Sequence, residues 1–157
     1  MSILTTAVTA AVTWGACVMA RQEVEEQPPR EGRWFRLRPT VNRGAAFGLP
    51  LEPRVLPVLS ASSLALVWAM GRKCPAAAGL VLGGGLSNLW ERADRGEVLD
   101  YLHFPGAPGP LGRYVYNLAD LAILAGGLGL AAGRRKKRPG SVKKSGRPAA
   151  PSKEAVP

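Results

Sequence analysis

Asp100 stands in the stretch Val98-Leu99-Asp100-Tyr101 and Asp120 in Tyr116-Asn117-Leu118-Ala119-Asp120, each where a polar segment meets an apolar run. Two carboxyl groups brought together can share one proton, one taking a proton from an attacking water while the other donates to a carbonyl oxygen. Like charges held close resist double ionisation, which keeps one of the pair protonated near neutral pH. That is a chemistry for hydrolysing a peptide bond with neither a metal nor a nucleophilic side chain. Competing arrangements have little material. His103 is the only histidine, so a Ser-His-Asp triad or a histidine-rich metal site would have to be built around it. A lone histidine in an aromatic loop is more often a packing or interface residue. Cys17 and Cys74 lie in or beside apolar blocks and read as small packing residues, not as disulfide or zinc ligands. Taken singly, Asp100 also reads as an ordinary loop carboxylate, and Asp120 as a helix cap or as a partner of Arg92.

The elements that must position these acids are apolar and segregated from the charge. The chain has 157 residues, 46% of them hydrophobic, with a formal net charge of +10. Four apolar blocks stand out: 3–20, 55–70, 76–90 and 118–133. A hydrocarbon core of roughly 30 Å takes about 20 apolar residues as a helix, so each block is a short span. Together they predict four transmembrane helices. The first carries no charge and has only Met1 and Ser2 before it, which favours a retained helix over a cleaved leader. Gly83-Gly84-Gly85 and Gly126, Gly127 and Gly129 lie within such blocks, where small residues let helices approach closely. Cations at Arg72-Lys73 and from Arg134 to Arg138 put both termini in the cytoplasm, with segments 21–54 and 91–117 facing outward. The outer segments hold arginines too, Arg30, Arg33, Arg36 and Arg38 among them, so the rule is not obeyed cleanly. Residues 134–157 read as a basic, disordered cytoplasmic tail that lies against anionic lipid, and with no interleaved aromatics it does not suggest nucleic-acid binding.

Polar motifs recur at the outer ends of these helices. Asn42-Arg43-Gly44-Ala45-Ala46-Phe47 precedes the second block. Asn88-Leu89-Trp90-Glu91-Arg92 ends the third, followed by the stretch that holds Asp100. Tyr116 to Asp120 opens the fourth. Ionisable groups at such depth are costly and are functional candidates by default. In this order and at these spacings, the motifs resemble those of bacterial lipoprotein signal peptidase (signal peptidase II), over about residues 42–127.

The resemblance implies a membrane aspartic endopeptidase that removes signal peptides from prolipoproteins, cutting just before a cysteine already modified with diacylglycerol. Asp100 and Asp120 then correspond to the catalytic pair. Asn88, Arg92 and Asn117 correspond to residues lining the site for substrate and for globomycin-type inhibitors, and Asn42 to a polar position of the first motif. The family uses no metal or organic cofactor. Its partners are the lipidated substrates and membrane lipids, and the expected state is a monomer in the bacterial cytoplasmic (inner) membrane with its active site near the outer face. The fold expected is an all-α membrane protein of four transmembrane helices with a small extracytoplasmic β-cradle, formed here by Arg30 to Leu49. Three features depart from the family pattern: Met19-Ala20-Arg21-Gln22-Glu23 replaces an Asp-x-x-Ser/Thr-Lys motif, Glu91 stands for an aspartate, and Ser87 for a glycine. A second reading is a catalytically weak homologue that binds a lipopeptide or a globomycin-like antibiotic, acting in resistance or sequestration.

Overall fold

The computed structural model describes residues 2–43, 55–70 and 73–135. Gly44 to Phe47 of the first motif, Arg72 and the tail from 136 onward lie outside the described residues. Among those described, the order is α1 (Ser2–Glu26), β1 (Arg30–Glu31), β2 (Arg36–Asn42), α2 (Val55–Met70), α3 (Pro75–Arg95), β3 (Val98–His103), α4 (Pro110–Arg113), β4 (Val115–Tyr116) and α5 (Leu118–Arg135). The chain is mostly helical with one small sheet.

α3 is the central helix, packed against α1, α2 and α5. Pro75 starts it, a position where the missing N–H costs nothing because the first turn has no intrahelical acceptor. Gly96 ends it in the left-handed region, φ 75°, its N–H bonded to the Arg92 carbonyl. Glycines set the close approaches. A Cβ on Gly79 would stand 2.8 Å from the Thr6 carbonyl oxygen, and one on Gly84 2.6 Å from that of Ala119. On α1 the buried residues are Thr6, Thr13 and Cys17, a seam of small side chains facing α3. α1 continues six residues past the apolar block ending at Ala20, and in this extension Glu25 forms an ion pair with Arg95 of α3 at 2.6 Å.

The sheet is antiparallel throughout, in the order β1-β2-β3-β4. Half of it comes from the segment between α3 and α5, so the β structure extends well beyond the 30–49 segment from which a cradle was expected. The cause is pairing: β2 alone would leave an open row of backbone groups, and β3 supplies partners, with Thr40 opposite Asp100 and Asn42 opposite Val98. The ladder breaks register between Leu37 and Thr40, around Pro39, which has no N–H to donate.

Among the described residues one helix, α1, is long and apolar enough to cross a membrane by length and composition, and it is largely unburied. The apolar stretches 60–69 and 118–133 are shorter. Large apolar side chains lie exposed on α1 (Ile3, Leu4, Val8, Val12), α3 (Leu86, Trp90) and α5 (Leu124, Leu128). A protein surrounded by water rarely leaves so many large apolar side chains exposed on its helices.

The helix contacts are testable. Gly84→Val forces a side chain against the α5 backbone at Ala119 and should lower stability by about 1–3 kcal/mol. Gly127→Ala, whose added Cβ meets nothing within 4 Å, should not lower it, since alanine favours the helix. Thermal unfolding of both variants in detergent checks the contrast.

Candidate active site

Four elements deliver the acids and their partners, β2 supplying Asn42. α3 carries Asn88, Glu91 and Arg92 on its last turns. The Gly96 cap turns the chain straight into β3, which carries Asp100. α5 begins after Asn117 and holds Asp120 in its first turn.

The start of α5 is a reciprocal capping arrangement. The Asn117 side-chain oxygen accepts from the Asp120 N–H at 2.9 Å, and the Asn117 N–H donates to Asp120 Oδ2 at 3.1 Å. Each side chain thereby satisfies a backbone donor that the helix leaves unpaired. The Leu118 N–H, the next such donor, bonds to the Tyr101 hydroxyl at 3.2 Å. Asp120 is therefore fixed by the same local chemistry that makes it readable as a capping residue.

The Asn117 amide nitrogen also reaches away from the helix, donating to Asp100 Oδ1 and to Asn88 Oδ1, both at 3.0 Å. Asn88 in turn donates to Asp120 Oδ1 at 3.1 Å. Asn42, two positions along the ladder from the residue opposite Asp100, presents its side chain on the same face and donates to Asp100 Oδ2 at 2.8 Å. All four carboxylate oxygens thus accept an N–H, and the two acids are joined through the amides of Asn117 and Asn88. The structure brings together Asp100, Asp120, Asn42, Asn88 and Asn117. Arg92 stands one turn beyond Asn88, donating to its carbonyl at 3.4 Å and lending positive charge to Asp100. The amides of Asn42, Asn88 and Asn117, expected from sequence to meet substrate, are directed at the carboxylates.

Asp100 is 5% exposed and Asn117 4%. Burial, which disfavours the charged form, raises the Asp100 carboxyl to about 6; the Asn42 donor opposes it, Asp120 adds to it, and Asn117 and Arg92 oppose it. Burial also pushes the Tyr101 phenol up to about 12, so it stays neutral. Among the described residues, no group of three or more His, Cys, Asp or Glu could hold a metal. His103 directs Nε2 to the Gly112 carbonyl at 3.1 Å, and the Tyr116 hydroxyl donates to the Pro110 carbonyl at 2.8 Å. Both stitch the loop 104–113 onto the sheet, a structural use for the single histidine.

Sequence reasoning did not anticipate two contributors. The Tyr101 hydroxyl holds the start of α5, and Glu91, 7% exposed, accepts from the Leu99 N–H at 3.1 Å. A tyrosine directly after an acid is a weak signal, but a glutamate among apolar residues at a helix end is a usable one.

A paired-carboxylate centre, held by amides at one end of a helical bundle and roofed by a small sheet, defines the class. The sequence profile described as signal peptidase (SPase) II matches residues 3–133, and the chain belongs to that family. Relatives named lipoprotein signal peptidase include one from Streptomyces griseus, 32% identical over 73% of this chain and 62% of the relative. One from Methylorubrum extorquens is 41% identical over 57% of each, and one from Halothermothrix orenii 35% identical over 69% of this chain and 76% of the relative. The chain thus spans about three fifths of the length of the first two. The fold is similar to that of a bacterial membrane enzyme solved at 2.3 Å, with a TM-score of 0.70 at 19% identity over 94% of this chain and 96% of the other.

A carboxyl raised to about 6 against an ordinary 3.8 binds a proton more tightly folded than unfolded. Its stabilising contribution is complete below pH 3.8 and is lost as pH rises through about 6. The thermal midpoint in detergent should fall across that window, and Asp100→Asn should flatten the fall. Asn42→Ala, which removes a donor to the carboxylate, should move the upper end of the window to higher pH.

Proposed function

We propose that this chain is a membrane-embedded aspartic endopeptidase that cleaves signal peptides from diacylglyceryl-modified prolipoproteins, with Asp100 and Asp120 as its catalytic pair. The observation that carries the reading is the hydrogen-bonded chain Asp100–Asn117–Asn88–Asp120. It joins two acids from different elements in the family whose relatives bear the name lipoprotein signal peptidase.

The chemistry follows from the arrangement. One carboxylate takes a proton from the attacking water while the other, protonated, donates to the scissile carbonyl oxygen. Burial favours the shared proton, and amide donors fix both groups without neutralising them, because an amide N–H cannot be lost near neutral pH. Arg92, close enough to bias Asp100, is the cation placed to offset the second negative charge. The exposed apolar exteriors of α1, α3 and α5 support helices that face lipid, and with α2 we assign four spans. The sheet and the acids then lie near the extracytoplasmic face of the bacterial cytoplasmic membrane, with both termini on the cytoplasmic side and globomycin-type lipopeptides competing for the same site.

The test is cleavage of a lipidated prolipoprotein by the purified chain. Asp100→Asn and Asp120→Asn should each lower kcat by about 10²–10⁴-fold while the protein stays folded in detergent. Full activity in either variant would overturn the assignment.

A further inference from the structure

Glu91 is buried at the end of α3, yet it belongs to neither acid of the pair and donates nothing to them. Its Oε2 accepts from the Leu99 N–H at 3.1 Å. In an antiparallel ladder, N–H groups alternate between facing the partner strand and facing away. Val41 of β2 stands opposite Leu99, and the Leu99 N–H reaches the Glu91 carboxylate of α3. On the other side, β4 pairs only with Leu102 and His103, so no strand meets Leu99 there. Glu91 gives that donor its acceptor on the helix side, and a part-buried donor left unpaired is costly.

The consequence falls on the next residue. Asp100 follows Leu99 directly, and its carboxylate is aimed by where β3 lies. β2 fixes β3 from one side, and Glu91 fixes it from the helix that also carries Asn88 and Arg92. The Glu25–Arg95 ion pair steadies the same end of α3 against α1.

We propose that Glu91 is a positioning residue for Asp100, its carboxylate tethering the Leu99 N–H so that β3 and α3 hold the carboxyl in register with the Asn88–Asn117 amides. This rests on reading Asp100 as one of the reacting carboxyls, and the experiment separates the two. Full-length wild type, Glu91→Gln and Glu91→Met are compared in detergent. Glutamine keeps an acceptor at the same reach without the charge, and methionine keeps the length without an acceptor. The readouts are hydrogen exchange at the Leu99 amide, and kcat and KM on a lipidated prolipoprotein.

In wild type and Glu91→Gln the Leu99 amide should exchange slowly, with kcat of the two within about threefold because the acceptor is unmoved. In Glu91→Met the amide should exchange fast and kcat should fall about a hundredfold, as expected for a small misplacement of a reacting group, while KM stays within about a factor of two. Unchanged Leu99 exchange in Glu91→Met overturns the proposal, as does a kcat loss in Glu91→Gln equal to that in Glu91→Met. Should Glu91→Met not fold, Glu91→Gln decides alone: slow exchange with retained kcat supports the tether, and loss of either overturns it. Wild type with a protected Leu99 amide and no cleavage overturns the peptidase reading instead.

Discussion

Asn117 makes four hydrogen bonds that bring three other residues, Asp120, Asp100 and Asn88, into agreement. Its side-chain oxygen caps α5, its backbone N–H holds Asp120, and its amide nitrogen divides two hydrogens between Asp100 and Asn88. An amide is suited to this place because it offers an acceptor and two donors in one plane and carries no charge to compete with the acids. A carboxylate there would repel both neighbours, and a hydroxyl would supply one hydrogen where two are used. Because Asn117 is 4% exposed, any group it left unpaired would face a desolvation cost of about 1–3 kcal/mol.

The two acids reach this amide by unlike routes, which gives them unlike surroundings. Asp120 sits in the first turn of α5, where backbone N–H groups point at it and the helix dipole favours negative charge. Asp100 projects from a strand, is 5% exposed, and relies on side-chain amides from β2 and from the start of α5. In the proposed peptidase reading, such asymmetry serves a pair that holds one proton between two carboxyls, because it separates the two titrations.

The bundle and the sheet are joined at few points, each of them polar. The two residues Gly96 and Glu97 turn α3 into β3, Glu91 tethers the strand back to the helix, and Tyr101 returns from the strand to the start of α5. Ion pairs on the outside contribute less. Arg43 and Glu97 meet at 3.0 Å, but the arginine is 83% exposed, and such pairs are worth little in water. On the end of α1, Glu25 pairs with Arg95 of α3. Arg21 keeps its Nε buried with no hydrogen-bond partner among the described residues.

Several features were legible in the amino-acid order because they depend on local chemistry. Apolar blocks announced α2, α3 and α5 closely, proline and glycine marked the ends of α3, and Asn117-x-x-Asp120 is a capping pattern in its own right. The motif order also pointed to the residues that cluster, Asn42, Asn88, Asp100, Asn117 and Asp120. What each of them touches was decided by tertiary structure. Which face of β2 holds Asn42 depends on its register with β3, set by pairing with residues nearly sixty positions away. The roles of Tyr101 and Glu91 likewise follow from donors that become unpaired only once β3, α3 and α5 meet. A sequence fixes which groups can donate and accept, but the need for a particular donor or acceptor arises only when folding removes water from the other.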